Sequence, residues 1–378
     1  MMKKLLAVLT ALTFGLLAAV PAQGASESYS AKAVVLMEAA SGRILYAQNE
    51  NEQLPMASTT KIITALIALE QPNLDEYFVV DEQAIQVEGT SMGLQVGDQV
   101  TLRTLAWGML LSSGNDAANA AAVRISGSIP AFAQLMNQRV QELGATNTHL
   151  VTPSGLDDEA HYTTAKDLAL IARGALQNPD FAAICSTRSV AVTYGNPPYK
   201  RYLSNHNRLL STYEGANGVK TGFTKKSGRC LVSSAERDGV QLICVTLGAS
   251  DDWSIHRQLL DQGFAQLTAT AVPISSDLTV PVTNSPVSQV KLVPQETPVV
   301  ALKAGEEARV VYELSSQMEY APVQEGQVLG KAKIYTGDLL LAEIPLLADR
   351  EAPQNPMPPE PERNFWGRLW DWIGGLFT

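Results

Sequence analysis

A continuous apolar run near the start of the chain limits what this region can fold into. Residues 62–69 read Ile-Ile-Thr-Ala-Leu-Ile-Ala-Leu, a stretch of helix-compatible length. An amphipathic surface helix would carry a polar face, so the run predicts a helix that is buried on every side. Lys61 comes directly before the run, and a lysine in such a place is expected to have a partner or a chemical task.

Ser58 lies three residues before Lys61, so on a helix the two side chains share a face, one turn apart. A helix N-terminus carries free N–H groups and partial positive charge, which favour an oxyanion and push a nearby ammonium toward its neutral form. A serine beside a deprotonated lysine is an activated nucleophile. The alternative is an N-capping serine followed by a lysine that reaches for solvent. Because an isolated Ser-x-x-Lys is common by chance, the rest of the chain must decide.

Length and charge bound the class of protein. A chain of 378 residues predicts two domains, and a formal net charge of −10 argues against nucleic acid as a partner and against attraction to anionic lipid by charge alone. Residues 1–24 combine a basic start, an apolar stretch and small residues, which predicts a cleaved signal peptide and an exported protein. The alternative is an uncleaved membrane anchor, for which the stretch is short.

Cysteine content predicts neither disulfides nor a metal site. The three cysteines, Cys185, Cys230 and Cys244, are too few and odd in number for a disulfide framework. Cys230 and Cys244 flank a hairpin with Asp238-Gly239 as its turn, whose register places the two thiols on opposite faces. We interpret all three as small core side chains. No Cys or His pair has metal-ligand spacing, and no cofactor is expected.

Strands begin and end the region from residue 25 to 270, with helices between them. Ala33–Met37 and Ile44–Ala47 predict a first hairpin, and strands return around the Asp238-Gly239 turn. The middle of the region has helical periodicity over 101–111, from 116, and over 129–143 and 163–176. The two ends are expected to meet in one sheet, which gives an α/β sandwich with a helical insert.

Ser113-Gly114-Asn115 interrupts this helical block. One helical segment stops at Ser112 and another starts from Asp116, so the three residues lie in a tight break between two helices. Polar side chains in such a break can point into a cleft. The alternative is a helix-ending glycine followed by an N-capping Asn or Asp.

The sequence pattern changes after residue 270, where helical periodicity ends. Short strands punctuated by Pro and Gly predict a small all-β sandwich domain over 271–350, followed by a stiff Pro-rich linker over 351–363. In residues 364–378 the aromatic and aliphatic side chains fall within an arc of about 160° on a helical wheel. This predicts an amphipathic helix lying in the membrane interface, for peripheral contact. The alternative is a helix that packs on the protein's own core.

Three motifs occur in one order: Ser58-Thr59-Thr60-Lys61, Ser113-Gly114-Asn115 and Lys220-Thr221-Gly222. Together they resemble the motif set of penicillin-binding proteins and class A β-lactamases. The chain resembles the D-alanyl-D-alanine carboxypeptidases, the low-molecular-mass penicillin-binding proteins, over nearly its whole length. Ser-Gly-Asn as the middle motif favours these over β-lactamases. The resemblance implies a penicillin-binding/β-lactamase-like α/β catalytic domain with a helical insert, a β-rich second domain and an amphipathic anchor.

The resemblance also implies roles for the catalytic groups. Ser58 would attack the carbonyl between two D-alanines at the end of a peptidoglycan stem peptide, and Lys61 would take its proton. Ser113 would relay a proton to the leaving D-alanine, and Asn115 would hold Lys61 and the substrate amide. The backbone N–H groups of Ser58 and Phe223 would form the oxyanion hole. Water would then hydrolyse the acyl-enzyme, and β-lactam antibiotics would act as covalent inhibitors on Ser58.

Binding roles follow for the third motif. Lys220 would supply positive potential, Thr221 would bind the terminal carboxylate, and Gly222 would let the strand approach the substrate closely. Family members often use an arginine before the closing helix for the same carboxylate, and Arg257 is the candidate here. The alternative is that Arg257 is a surface arginine of that helix. Such an enzyme would work at the outer face of the cytoplasmic membrane, in the cell envelope.

Three other functions remain open from the sequence. A β-lactamase needs a carboxylate to activate the deacylating water, usually in a Glu-x-x-Leu-Asn segment between the second and third motifs, and none is present there. A transpeptidase would share the acyl-enzyme and differ only in the acceptor. A catalytically idle wall-binding protein is disfavoured because all three motifs are intact.

Overall fold

The computed structural model describes residues 28–356. The predicted signal peptide, the linker from residue 357 onward and the predicted amphipathic helix over 364–378 lie outside the described residues. Within residues 28–356, no helix is both long enough and apolar enough to cross a bilayer.

A five-stranded antiparallel sheet forms the centre of the first region, in the order β2-β1-β9-β8-β7. Its strands are β1 (Ala33–Glu38), β2 (Ile44–Gln48), β7 (Ala216–Thr224), β8 (Gly228–Arg237) and β9 (Val240–Ala249). The first hairpin pairs with the last strand, so that Val35 lies opposite Val245. The prediction that both ends of this region meet in one sheet is therefore confirmed.

Helices cover both faces of the sheet. They are α1 (Lys61–Leu69), α2 (Leu102–Leu110), α3 (Asn115–Ser126), α4 (Ile129–Glu142), α5 (Ala165–Leu176), α6 (Pro179–Ser186), α7 (Leu209–Thr212) and α8 (Asp252–Gln266). Alternate residues of β1 point to opposite sides, since side chains along a strand alternate. Val35 joins the core beneath the helical block, whereas Val34 and Leu36 join the core beneath α8.

Helix α1 is the middle of the helical block. It packs against α2, α3, α4, α5 and α6, and each of its residues is buried. A helix that is apolar on all sides removes its surface from water only when neighbours surround it, which is why it lies here. The prediction of a buried helix is confirmed. A 3₁₀ turn over Ala57–Thr60 leads directly into it.

The cysteines lie where the hairpin register predicts them. Ser233 pairs with Cys244, which puts Cys244 in the core beneath α8 and Cys230 in the core beneath the helical block. Cys185 is buried as well, and all three thiols are free. The interpretation as small core side chains is confirmed.

The stretch between α5 and β7 holds elements that the sequence pattern does not predict. These are α6, α7 and a hairpin of β5 (Ser189–Gly195) and β6 (Pro198–Ser204). Another short pair, β3 (Phe78–Val79) with β4 (Gln99–Val100), brackets a long loop. The Tyr194 hydroxyl of β5 donates to Met92 O of that loop at 2.6 Å, so the hairpin supports the loop from outside.

The second region is all-β. Its strands are β10 (Leu267–Ala271), β11 (Thr279–Thr283), β12 (Gln289–Pro294), β13 (Val299–Lys303), β14 (Arg309–Leu314), β15 (Glu319–Tyr320), β16 (Val328–Thr336) and β17 (Leu339–Ala348). Six of them form one sheet in the order β14-β16-β17-β12-β11-β15, and β10 pairs with β13. Two buried apolar clusters form the core of this region, and Val310 of β14 packs against both of them.

Strand β10 and an ion pair are among the contacts that join the two regions. β10 follows α8 directly, and residues 270 and 271, between which the sequence pattern predicts the domain boundary, both lie in it. Arg43, in the turn between β1 and β2, donates from Nη1 to Glu306 Oε2 at 2.8 Å. Glu306 also accepts from the Lys303 backbone N–H at 2.9 Å, which holds its carboxylate toward Arg43.

Candidate active site

Ser58 and Lys61 face each other as their spacing predicts. Lys61 Nζ lies 3.0 Å from Ser58 Oγ. Ser58 belongs to the 3₁₀ turn and Lys61 is the first residue of α1, so the rigid helix fixes the distance between them. Ala57, just before Ser58, has a left-handed backbone conformation with φ of 48°, which residues with a Cβ seldom adopt.

The contacts of Lys61 suit a neutral amine. The side chain is fully buried, and Nζ donates to Asn115 Oδ1 at 2.7 Å and to Ser154 O at 2.6 Å. A neutral amine has two N–H donors and one lone pair. Two acceptors take the two donors, which leaves the lone pair directed at the Ser58 hydroxyl.

Electrostatics favour the same form of Lys61. Burial lowers the pKa of Lys61 well below its usual value, and the nearby charge of Lys220 lowers this pKa further. The carboxylate of Asp116 acts in the opposite direction with a smaller effect on the pKa. A lowered pKa leaves more of Lys61 in the neutral form at a given pH, which is the form that a general base needs.

Ser113 lies in the break between α2 and α3, buried and with φ of 60°. Lys220 Nζ donates to Ser113 Oγ at 3.1 Å and to Thr221 O at 2.8 Å. Lys220 is itself buried, and burial lowers its pKa to about 7. The second and third motifs therefore meet through this lysine.

β7 presents the third motif along a free edge. It pairs with β8 on one side only, and its other edge borders the cavity. A Cβ on Gly222 would come within 3.1 Å of Met56 O and of Ser58 N, so a larger residue would push the strand away from the turn that carries the nucleophile. Phe223 follows with its side chain 66% exposed.

Most of the predicted site residues line one cavity of about 450 Å³. Six of the nine predicted residues line it, namely Ser58, Ser113, Asn115, Thr221, Gly222 and Phe223. Lys61 and Lys220 lie behind this lining and reach Ser58 and Ser113 through the contacts given above.

The structure does not bring Arg257 to this cavity, which corrects that part of the prediction. Arg257 lies on α8, and its guanidinium donates to Thr212 Oγ1 at 3.2 Å. Arg229 lines the cavity instead, directly opposite Phe223 in the β7–β8 pair. It donates from Nη2 and Nε to Asp252 Oδ1 at 2.7 and 3.0 Å. The register of the hairpin that follows the Lys-Thr-Gly motif is the signal that could have found it.

His161 and Asp157 complete the surroundings. His161 is buried, its Nε2 lies 2.8 Å from Thr60 Oγ1, and its Nδ1 accepts from Val151 N at 3.0 Å. Burial lowers the pKa of His161 to about 4, so it is a neutral support for the turn that carries Ser58. Asp157 accepts from Thr224 Oγ1 at 2.8 Å, where the loop after α4 meets the end of β7.

This fold and this site define a serine hydrolase that works through an acyl-enzyme. The family model for D-alanyl-D-alanine carboxypeptidases matches residues 19–251, and the chain belongs to that family. A second model, for the C-terminal domain of penicillin-binding protein 5, matches residues 272–354. A penicillin-binding-like α/β catalytic domain followed by an all-β domain is thereby confirmed.

Individual relatives agree with the family. The chain is 32% identical over 336 residues to D-alanyl-D-alanine carboxypeptidase DacF of Bacillus subtilis, with 86% of each chain covered. Penicillin-binding protein 5 from Haemophilus influenzae matches with a TM-score of 0.66 at 29% identity, over 87% of this chain and 99% of that one. The Streptomyces K15 DD-transpeptidase matches with a TM-score of 0.60 at 31% identity, over 63% and 98%. The chain is a serine DD-carboxypeptidase of the penicillin-binding type.

Proposed function

We propose that this enzyme removes the terminal D-alanine from peptidoglycan stem pentapeptides through an acyl-enzyme on Ser58. One observation carries the assignment of the nucleophile: the buried amine of Lys61 lies 3.0 Å from Ser58 Oγ while its two N–H groups are held elsewhere.

In acylation, Ser58 Oγ forms a bond to the carbonyl carbon between the two D-alanines, and the bond from that carbon to the leaving nitrogen breaks. The Ser58 proton passes to Lys61 and then, through Ser113, to the leaving amine. Asn115 keeps Lys61 oriented through Oδ1. The backbone N–H groups of Ser58 and Phe223 stabilise the oxyanion. Water attacks the resulting ester and restores the Ser58 hydroxyl.

The terminal carboxylate of the substrate binds at Thr221 and Arg229 in this proposal. Thr221 lines the cavity on β7, and Arg229 reaches the same cavity from the neighbouring strand. Its side chain is 44% exposed, although Asp252 holds one side of the guanidinium. A planar guanidinium with a free side suits bidentate contact with a carboxylate.

The experiment that tests the proposal combines two readouts. D-alanine release from a synthetic pentapeptide ending in D-Ala-D-Ala measures the reaction, and a fluorescent penicillin labels the acyl-enzyme. We expect label on the full chain and none on Ser58→Ala. Label retained in Ser58→Ala would contradict Ser58 as the nucleophile. Rapid release of hydrolysed penicillin would point to a β-lactamase, and transfer of the acyl group to an added amine would point to a transpeptidase.

A pH prediction follows from the two lysines. kcat/KM should rise with pH as Lys61 loses its proton, and should fall as Lys220, with a pKa of about 7, loses the charge that attracts the substrate carboxylate. Lys220→Arg keeps its charge at every working pH, so the alkaline fall should disappear while the acidic rise stays. D-alanine release measured from about pH 5 to about pH 10 checks this. An unchanged alkaline fall in Lys220→Arg would contradict it.

We also propose export to the cell envelope and peripheral attachment to the membrane. The composition of residues 1–24 supports export, and the aromatic face of residues 364–378 supports attachment in the membrane interface. Truncation after Glu362 should release the mature protein from membranes into the supernatant. A truncated form that still sediments with membranes, beside an intact control, would contradict this anchor.

The domain division that we propose follows the composition of the chain. The catalytic domain covers residues 25–270, the all-β domain 271–350 and the Pro-rich linker 351–363. The matched ranges of the two family models, 19–251 and 272–354, support this division.

A further inference from the structure

One wall of the active-site cavity is a loop without regular structure. It belongs to the connection between β3 and β4, and its residues Gly89 and Thr90 line the cavity. The segment comes so close to the second motif that a Cβ on Gly89 would lie 2.7 Å from Asn115 Nδ2. We call residues 88–94 the wall loop.

The wall loop is hydrogen-bonded to Ser113 and Asn115, the two residues that contact Lys220 and Lys61. Thr90 Oγ1 donates to Ser113 O at 2.6 Å, and Asn115 N donates to Thr90 O at 2.7 Å. Asn115 Nδ2 donates to Glu88 O at 2.6 Å. That last contact decides which end of the Asn115 amide faces Lys61, because with Nδ2 held by the loop, Oδ1 must point to Lys61 Nζ.

The wall loop is in turn fastened by one buried carboxylate, that of Asp116. Its two oxygens accept hydrogen bonds at 2.6 to 3.1 Å from one hydroxyl and four backbone N–H groups: Ser91 Oγ, Met92 N, Gly93 N, Leu94 N and Ala117 N. Among the salt bridges of residues 28–356, none involves Asp116. The carboxylate is therefore stabilised by the dipoles of the loop, and four of its five donors, Ser91 Oγ and the N–H groups of Met92, Gly93 and Leu94, belong to the wall loop.

Asp116 follows Asn115 directly in the chain but touches no reacting group. Its carboxylate accepts hydrogen bonds from the wall loop, and the wall loop in turn is hydrogen-bonded to Ser113 and Asn115. We propose that Asp116 is a positioning residue, which fixes the wall loop so that Asn115 presents Oδ1 to Lys61 and Ser113 keeps its left-handed backbone. This rests on the proposed roles of Ser58 and Lys61.

The test replaces Asp116 by asparagine in the full chain. Asparagine keeps the shape, but its NH₂ would face donors that need an acceptor. Fluorescent penicillin at increasing concentration gives the limiting acylation rate and the half-saturating concentration separately. We expect Asp116→Asn to lower the limiting rate by about 10- to 100-fold and to change the half-saturating concentration by less than about threefold.

Asp167→Asn is the matched control. Asp167, on α5, is as buried as Asp116. Its carboxylate accepts hydrogen bonds from Asn147 N at 2.6 Å and from Thr148 Oγ1 at 2.9 Å. We expect Asp167→Asn to lower the thermal unfolding midpoint and to keep the limiting rate within about twofold, because its bonds do not reach the wall loop. An equal loss of rate in both variants would reduce Asp116 to a structural residue and overturn the proposal.

Thr90→Val tests the same link by a smaller change, in case Asp116→Asn does not fold. It removes only the hydroxyl bond to Ser113 O, and we expect about a three- to tenfold lower limiting rate. A wild-type limiting rate in Thr90→Val, or in folded Asp116→Asn, would overturn the inference. A wild-type chain that takes no label would overturn the proposed function instead, so the two failures are distinguishable.

Discussion

Lys61→Met is expected to lower the rate constant for acylation by penicillin by at least about 10³-fold. Methionine fills much of the same volume but has no basic nitrogen, so the Ser58 hydroxyl loses the group that takes its proton. The amine that is removed lies 3.0 Å from Ser58 Oγ and has a pKa well below that of an ordinary lysine. Time courses of labelling with a fluorescent penicillin measure the loss.

Lys61→Arg separates basicity from charge. Arginine stays positively charged at working pH and cannot act as a base, so Lys61→Arg should lose about as much activity as Lys61→Met. The thermal unfolding midpoint is the control for folding. Lys61→Met leaves Asn115 Oδ1 and Ser154 O without their hydrogen-bond donor, which destabilises the folded protein. It also removes the cost of burying an amine, which stabilises it. Because the two effects oppose each other, we expect the midpoint to change by less than about 5 °C. An active Lys61→Arg would show that charge alone is required.

Arg229→Ala is expected to lower kcat/KM for the pentapeptide by roughly 30- to 150-fold, as befits loss of about 2–3 kcal/mol of charge-assisted hydrogen bonding. The effect should depend on the substrate carboxylate. A peptide ending in D-alanine amide should therefore be cleaved at similar rates by Arg229→Ala and by the wild type. D-alanine or D-alaninamide release measures both cases.

Arg257→Ala is the matched control for the same experiment. It removes an arginine of the same charge from α8, where the guanidinium bonds to Thr212 and not to the cavity. We expect kcat/KM within about twofold of wild type, since an exposed contact of this kind contributes little. A large loss in Arg257→Ala with none in Arg229→Ala would restore the sequence-based prediction and contradict the structure-based one.

Local patterns predicted the parts of this fold that depend on near neighbours. The apolar run after Lys61 was enough to predict a buried helix, and the three-residue spacing was enough to predict the contact with Ser58. The Asp238-Gly239 turn fixed the hairpin register and hence the opposite faces of Cys230 and Cys244. In each case the deciding geometry lies within one helix turn or one hairpin.

Other features depend on contacts that no local pattern encodes. Arg229 reaches the cavity because β8 lies beside β7 and Asp252 holds its guanidinium from the start of α8. The wall loop is defined mostly by backbone hydrogen bonds to one carboxylate, which leave no periodicity in the sequence. The position of the β5–β6 hairpin against the helical block depends on the hydrogen bond from Tyr194 to a loop about 100 residues away in the chain.

The left-handed conformations of Ala57 and Ser113 have a practical consequence for anyone who engineers this enzyme. Each costs about 1–2 kcal/mol relative to an ordinary backbone conformation, and glycine would relieve that cost. A library sorted for heat resistance alone would accept glycine at both positions. At position 57 the nucleophile survives, whereas at position 113 the hydroxyl is lost. Heat resistance can therefore be raised without losing a catalytic group at the first position, whereas at the second position it is gained at the expense of turnover.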